Sequence, residues 1–308
     1  MEGSQIMGQS ASASGSLRVR MREHPLLFFF LIAYAFSWIM SLPFVLSEWG
    51  ILPGDFTVAF ALKSFGPFLA AYILIRIVEG KEGLLRFRQR FRPARAGWKW
   101  YLLILLVVPA PILLGIITQP GALANFPGLS PAFLVTCLVT FILVLLGGGP
   151  LGEEPGWRGF ALPHLQARYG PLWGTLLLSV LWTFWHLPDF LTSQQGGGPG
   201  TGLTPFLYNL PFFLLLVTAL AIIFTWVFNH TEGSIFAAIL MHACVNVSQV
   251  ILVPLFPTLD FTHMDIAAFI GYGVPALLIV ILTRGRLGYL PNQEQPVRPE
   301  EFETRPVH

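Results

Sequence analysis

Leu151 to Leu165 reads LGEEPGWRGFALPHL and sets two adjacent glutamates, Glu153 and Glu154, inside an otherwise apolar sequence. An ionisable group at membrane depth costs roughly 2.5 to 3.5 kcal/mol on insertion scales, so a pair there signals function and calls for a partner. Arg158 is the local partner. It follows Glu154 by four residues, the spacing at which a carboxylate and a guanidinium meet on one helix face.

Composition places that stretch in a membrane. The 308 residues are 54% hydrophobic and only 11% charged, with a mean hydropathy of +0.67, against about 45–50% and about 25% in a soluble domain. The expected fold class is all-α, a polytopic membrane helical bundle. Crossing a ~30 Å hydrocarbon core takes about 20 apolar residues. About eight such runs occur: Leu26–Leu46, Phe56–Val78, Trp100–Ile117, Pro131–Leu146, Leu172–Leu191, Phe206–Phe228, Ser234–Val253 and Ile266–Thr283. The fourth ends in Gly147, Gly148, Gly149 and Pro150, which break or kink a helix unless neighbours re-satisfy the freed backbone groups.

One transmembrane domain is expected over 25–290, between a disordered N-terminal segment (1–24) and a disordered tail (291–308). No small-residue cleavage site follows the first span, which therefore reads as an uncleaved anchor. Cys137 and Cys244 lie in apolar runs without CxxC spacing and read as free core thiols.

Charge sets the orientation. Basic residues precede the first span, fill the loop between the second and third (Lys81, Arg86, Arg88, Arg90, Arg92, Arg95, Lys99), and recur at Arg158, Arg168, Arg284 and Arg286. The alternate loops hold Glu48, Asp55, Asp189, Asp260 and Asp265 instead. This bias puts both termini in the cytoplasm. Lys63 sits deep within a span, as a snorkelling or cavity residue. The segment Leu84 to Trp100, LLRFRQRFRPARAGWKW, reads as a cytoplasmic loop held at the anionic surface of the lipid bilayer, and nucleic acid is not an expected partner.

Three more polar placements join the glutamates. His186 lies in LWTFWHLP, while His242 and Asn246 lie four apart in MHACVNV and so share a helix face. A carboxylate pair, two imidazoles and an amide in separate spans are each costly unless they converge on one wet pocket. Hairpin geometry supports part of this: Glu153 lies 17 residues before Gly170 and His186 lies 16 after it, so antiparallel helices would hold them level, roughly 24 Å from the turn. His242, about 12 Å beyond Ser234 by the same rise, is a mismatch that closes if the Glu153–His186 hairpin projects into the cytoplasm.

A desolvated glutamate can act as general base on a water that a nearby imidazole helps to hold. A His and an Asn on one face are donors able to stabilise an oxyanion, worth roughly 3 to 4 kcal/mol in known cases. Together they describe amide hydrolysis within a membrane. The rival assembly uses Glu153, His186 and His242 as three Zn2+ ligands with an open position for water. These residue types leave both open.

The constellation resembles the CAAX protease and bacteriocin-processing (CPBP, or Abi) family of intramembrane proteases, related to type II CAAX prenyl endopeptidases. EEPGWR at Glu153–Arg158 matches that family's EExxxR motif, with the continuation GFALPHLQ also similar; Trp182 to His186 matches FxxxH with Trp in place of Phe; His242 to Asn246 matches HxxxN. The three occur in order within 131–253. The resemblance implies that Glu153 activates the water with His186, that His242 and Asn246 form the oxyanion pocket, and that Glu154 and Arg158 are supporting residues. Trp182 then bears on pocket shape and substrate fit rather than on catalysis. The implied function is an intramembrane endopeptidase of metallo- or glutamate type, with zinc secondary, acting on a membrane-associated peptide or lipopeptide of the prenylated or bacteriocin kind. A non-proteolytic scaffold or immunity protein is one alternative. A proton-coupled transporter is another, because membrane carboxylates and histidines also build proton relays, although no second half repeats the first.

Overall fold

The computed structural model describes residues 17–122, 124, 126, 128, 130–147, 149–201, 204–252, 256 and 261–291. The expected tail after Pro291 and most of the expected N-terminal segment lie outside these; residues 17–23, counted in that segment, are helical. No strand occurs among the described residues. The chain runs α1 (Pro25–Glu48), α2 (Thr57–Leu62), a 3-10 turn (Lys63–Phe65), α3 (Gly66–Val78), α4 (Gly80–Gln89), α5 (Trp98–Val107), α6 (Ala110–Ile117) and α7 (Pro131–Leu146). It continues with α8 (Gly149–Gly156), a π-turn (Trp157–Ala161), α9 (Leu162–Tyr169), α10 (Pro171–Trp185), a 3-10 turn (Leu187–Leu191), α11 (Thr204–His230), α12 (Ile235–Val247), a second π-turn (Ser248–Leu252) and α13 (Phe261–Thr283).

Among the described residues, six helical stretches are long and apolar enough to cross a membrane: Pro25–Glu48, Thr57–Val78, Trp98–Ile117, Pro131–Tyr169, Thr204–His230 and Ile266–Thr283. The two expected spans missing from this set are the fifth and seventh, which carry the two histidines. Both are shorter than the rest. α10 has 15 residues before the 3-10 turn, and the helix that α12 opens runs over Ile235–Ile251. At 1.5 Å per residue those lengths reach about 22 and about 25 Å, less than the ~30 Å of the hydrocarbon core.

Start signals are local. Proline opens α1, α7 and α10, where a missing N–H costs nothing. Ser130 and Ser234 cap α7 and α12 by accepting from the N–H groups of Phe133 and Ala237. Gly170 turns α9 into α10 with φ of 80°, a left-handed backbone that glycine adopts without strain.

α8 lies against α3 on one side and α12 on the other. Its contact with the 3-10 break is close: a Cβ on Gly152 would sit 2.5 Å from the Ser64 carbonyl oxygen, and one on Gly156 2.4 Å from Pro67 Cβ. Gly152 and Gly156 are thus a small-xxx-small face on which two backbones meet. One apolar cluster joins α1, α3, α8 to α10 and the start of α12, around Phe29, Leu74, Trp157 and Trp185. A second joins α5, α6, α11, α13 and the other side of α12, around Ile104, Phe224, Met241 and Tyr272. By contrast, α7 contributes no buried residue.

The bundle has two chemically different ends. At one, Arg22 donates to the Ile77 carbonyl, Arg90 to those of Gly159 and Gly233, and Arg95 to that of Glu232. At the other, Glu48 accepts from Ser193, and Trp49 donates to the Leu191 carbonyl.

Candidate active site

α8 carries Glu153 and Glu154 into the interior, where they are 4% and 0% exposed. Glu154 Oε1 accepts from Arg158 Nη1 at 3.0 Å, one helical turn on, and from His242 Nδ1 at 2.8 Å, across to α12. Arg158 is fully buried, and its guanidinium carbon lies 4.2 Å from the Trp182 ring centroid and 4.7 Å from that of Phe224. Two aromatic faces therefore take the place of solvent around the cation. Among the described residues, Glu154 Oε2 accepts no hydrogen bond and Arg158 Nε and Nη2 donate none.

Glu153 takes a different partner. Its Oε2 accepts from Trp182 Nε1 at 2.9 Å. Trp182 also packs its ring near both imidazoles, with centroid separations of 5.7 Å to His242 and 6.3 Å to His186. The side chain that sequence reading assigned to pocket shape thus touches the glutamate itself, because an indole has an N–H that a phenyl ring lacks. The expected level pairing of Glu153 with His186 shifts by one turn, to Trp182. The hairpin is not two straight antiparallel helices: the π-turn at Trp157–Ala161 widens its first arm, and α8 packs on α3 and α12 instead of lying along α10. The depth mismatch expected for His242 closes through its contact with Glu154.

His186 caps the C-terminus of α10. Its Nδ1 lies 2.7 Å from Asp189 Oδ2 in the following 3-10 turn, and its ring meets Trp185 edge-on at 4.7 Å. Asp189 Oδ1 is ion-paired with Lys63. Asp189, read from sequence as a loop acid, is 6% exposed, and Lys63 is 8% exposed. Asn246 is half-buried, and its Nδ2 lies 3.4 Å from where a Cβ on Gly149 would sit, at the start of α8.

The zinc alternative needs Glu153, His186 and His242 to aim at one point. Glu153 Oε2, His186 Nδ1 and His242 Nδ1 are hydrogen-bonded to Trp182, Asp189 and Glu154 in that order. Among the described residues, no group of three or more His, Cys, Asp or Glu side chains is placed to hold a metal ion. That ligand set is not assembled, and no chemical step below passes through it. Cys137 and Cys244 are free thiols.

The arrangement can hold a carboxylate base on an indole N–H and present two imidazoles and an amide from two other segments, the end of α10 and α12. Residues 135–248 match the family model described as type II CAAX prenyl endopeptidase Rce1-like. A protein of Methanococcus maripaludis, CAAX prenyl protease 2, is 30% identical over 190 residues, covering 60% of this chain and 69% of that protein.

Proposed function

The chain belongs to the CAAX protease family, and from that premise we propose that it is an intramembrane endopeptidase in which Glu153 activates the attacking water. The water adds to the scissile carbonyl as Glu153 takes its proton. The C–N bond then breaks, and the proton passes to the departing amine. His186 donates Nδ1–H to Asp189, so in its neutral form Nε2 is an acceptor able to orient the water. His242 donates Nδ1–H to Glu154, so its Nε2 can donate to an oxyanion only as the imidazolium. Two carboxylates beside one guanidinium leave a negative charge for that imidazolium to balance. Asn246 supplies the second donor.

The observation that supports this reading is a buried polar cluster in which Glu153 accepts from Trp182 and Glu154 from Arg158 and His242, the two sets meeting where the Arg158 guanidinium lies over the Trp182 ring, with His186 in ring contact with Trp182. Buried polar groups are tolerated when they are partnered in this way. The substrate class is a membrane-associated peptide or lipopeptide. The name of the archaeal relative makes a peptide with a prenylated C-terminal cysteine motif the first to try.

The test uses the purified protein in liposomes with a farnesylated peptide, its unprenylated twin and a bacteriocin-type leader peptide. Cleavage is expected for at least one. Glu153→Gln should lower kcat by about 10³-fold or more while the protein stays inserted and folded, the scale on which removing a general base acts. Full activity in that variant overturns the assignment. Activity should also survive strong chelation; a loss restored by zinc would return the base role to a metal.

A further inference from the structure

Lys63 and Asp189 form a buried polar contact that the reaction above uses only indirectly and that none of the three sequence motifs contains. Lys63 sits on the 3-10 turn that interrupts the second span, and Asp189 on the 3-10 turn that ends α10. The Lys63 ammonium is 4.2 Å from the Phe60 ring centroid and 5.2 Å from that of Trp185. One oxygen of Asp189 faces this ammonium and the other accepts from His186 Nδ1. A buried ion pair contributes little net stability, because desolvation offsets most of the Coulomb gain. What this pair supplies is orientation.

The comparison that gives it meaning is inside the same molecule. Arg158, Glu154 and His242 Nδ1 stand in the order cation, carboxylate, imidazole. Lys63, Asp189 and His186 Nδ1 repeat that order on unrelated elements. A carboxylate on Nδ1 fixes which ring nitrogen carries the proton and how the ring is turned. We infer that Lys63 and Asp189 are positioning residues for His186: Asp189 holds the imidazole as its Nδ1–H tautomer with Nε2 unprotonated, and Lys63 keeps Asp189 ionised. This rests on the reading of His186 as a site residue.

The test removes both charges together, Lys63→Met with Asp189→Asn, so that no lone charge is left buried. Protein carrying 15N-labelled imidazoles, with the His186 signals assigned by their loss in His186→Gln, is expected to show the Nδ1–H tautomer in the parent chain. In the double variant the Nε2–H form should become prominent, and kcat should fall about 10²-fold or more with KM within about twofold. In serine proteases, where a carboxylate orients the histidine the same way, its replacement by the amide costs about 10⁴-fold. Asp189→Glu keeps a carboxylate and should keep the tautomer. Where the double variant is not recovered folded, Asp189→Asn alone is read by the same two measurements. An unchanged tautomer, or a raised KM with kcat intact, overturns the inference. The tautomer is read without substrate, so an active Glu153→Gln variant would sink the assignment of Glu153 as the base and leave this result standing.

Discussion

Trp182 is the residue on which the site converges: its N–H holds Glu153, its face lies over Arg158, and its edge reaches both imidazoles. Phe at this position keeps the ring over the cation and loses the donor. Trp182→Phe should therefore leave folding and KM nearly unchanged and lower kcat about tenfold, the scale of one hydrogen bond to a charged group. Steady-state kinetics on the same peptide check this, and a rise in KM with unchanged kcat would return Trp182 to pocket shape. Glu153, Glu154, Arg158, His186, His242 and Asn246 were legible because polar residue types in apolar runs are costly wherever they point. The Trp182 contact was not, since an apolar ring in an apolar run carries no such signal. Asp189 was misread for a related reason. A carboxylate at the end of a span looks like a loop charge until the helix is seen to stop at Trp185, where an i to i+3 contact in the following 3-10 turn returns Asp189 to His186.

At the scale of elements, α8 is positioned by what its sequence lacks. Gly152 and Gly156 let its backbone rest on Ser64 to Pro67, which brings the glutamates close to the interrupted second span that carries Lys63. Gly156→Val forces a branched side chain against the Pro67 backbone and should cost about 1–3 kcal/mol as overpacking. A lowered midpoint of thermal unfolding in detergent, with Gly97→Ala near the parent value, is the expected result; Gly97 has no neighbour within 4 Å of its added Cβ. Helix existence was readable from apolar length, and the seventh run, drawn over Ser234–Val253, matches the helix at Ile235–Ile251, yet the fifth was drawn too long. Hydropathy continues through Leu187–Leu191 while the backbone changes to 3-10 geometry, and tertiary contacts decide that change.

For the whole molecule, α12 ties the two apolar clusters together, with Ile235, Ala238 and Ile239 in one and Met241, Cys244 and Val245 in the other. The guanidinium groups of Arg22, Arg90 and Arg95 gather at one end of this assembly, and we propose that this end faces the cytoplasm together with both termini. Reporters that work only in the cytoplasm should be active when fused at either terminus; activity at just one would reverse or break this topology. α7 meets that tied core through partly buried side chains, Phe141 and Leu145 among them. It hides no side chain completely, and through Gly147 and Pro150 it leads straight into the helix that bears Glu153. Swinging it aside would uncover no fully buried side chain of its own, and we propose that it is the wall that yields, giving a membrane-associated peptide a sideways route from the bilayer to the glutamates without first passing through water.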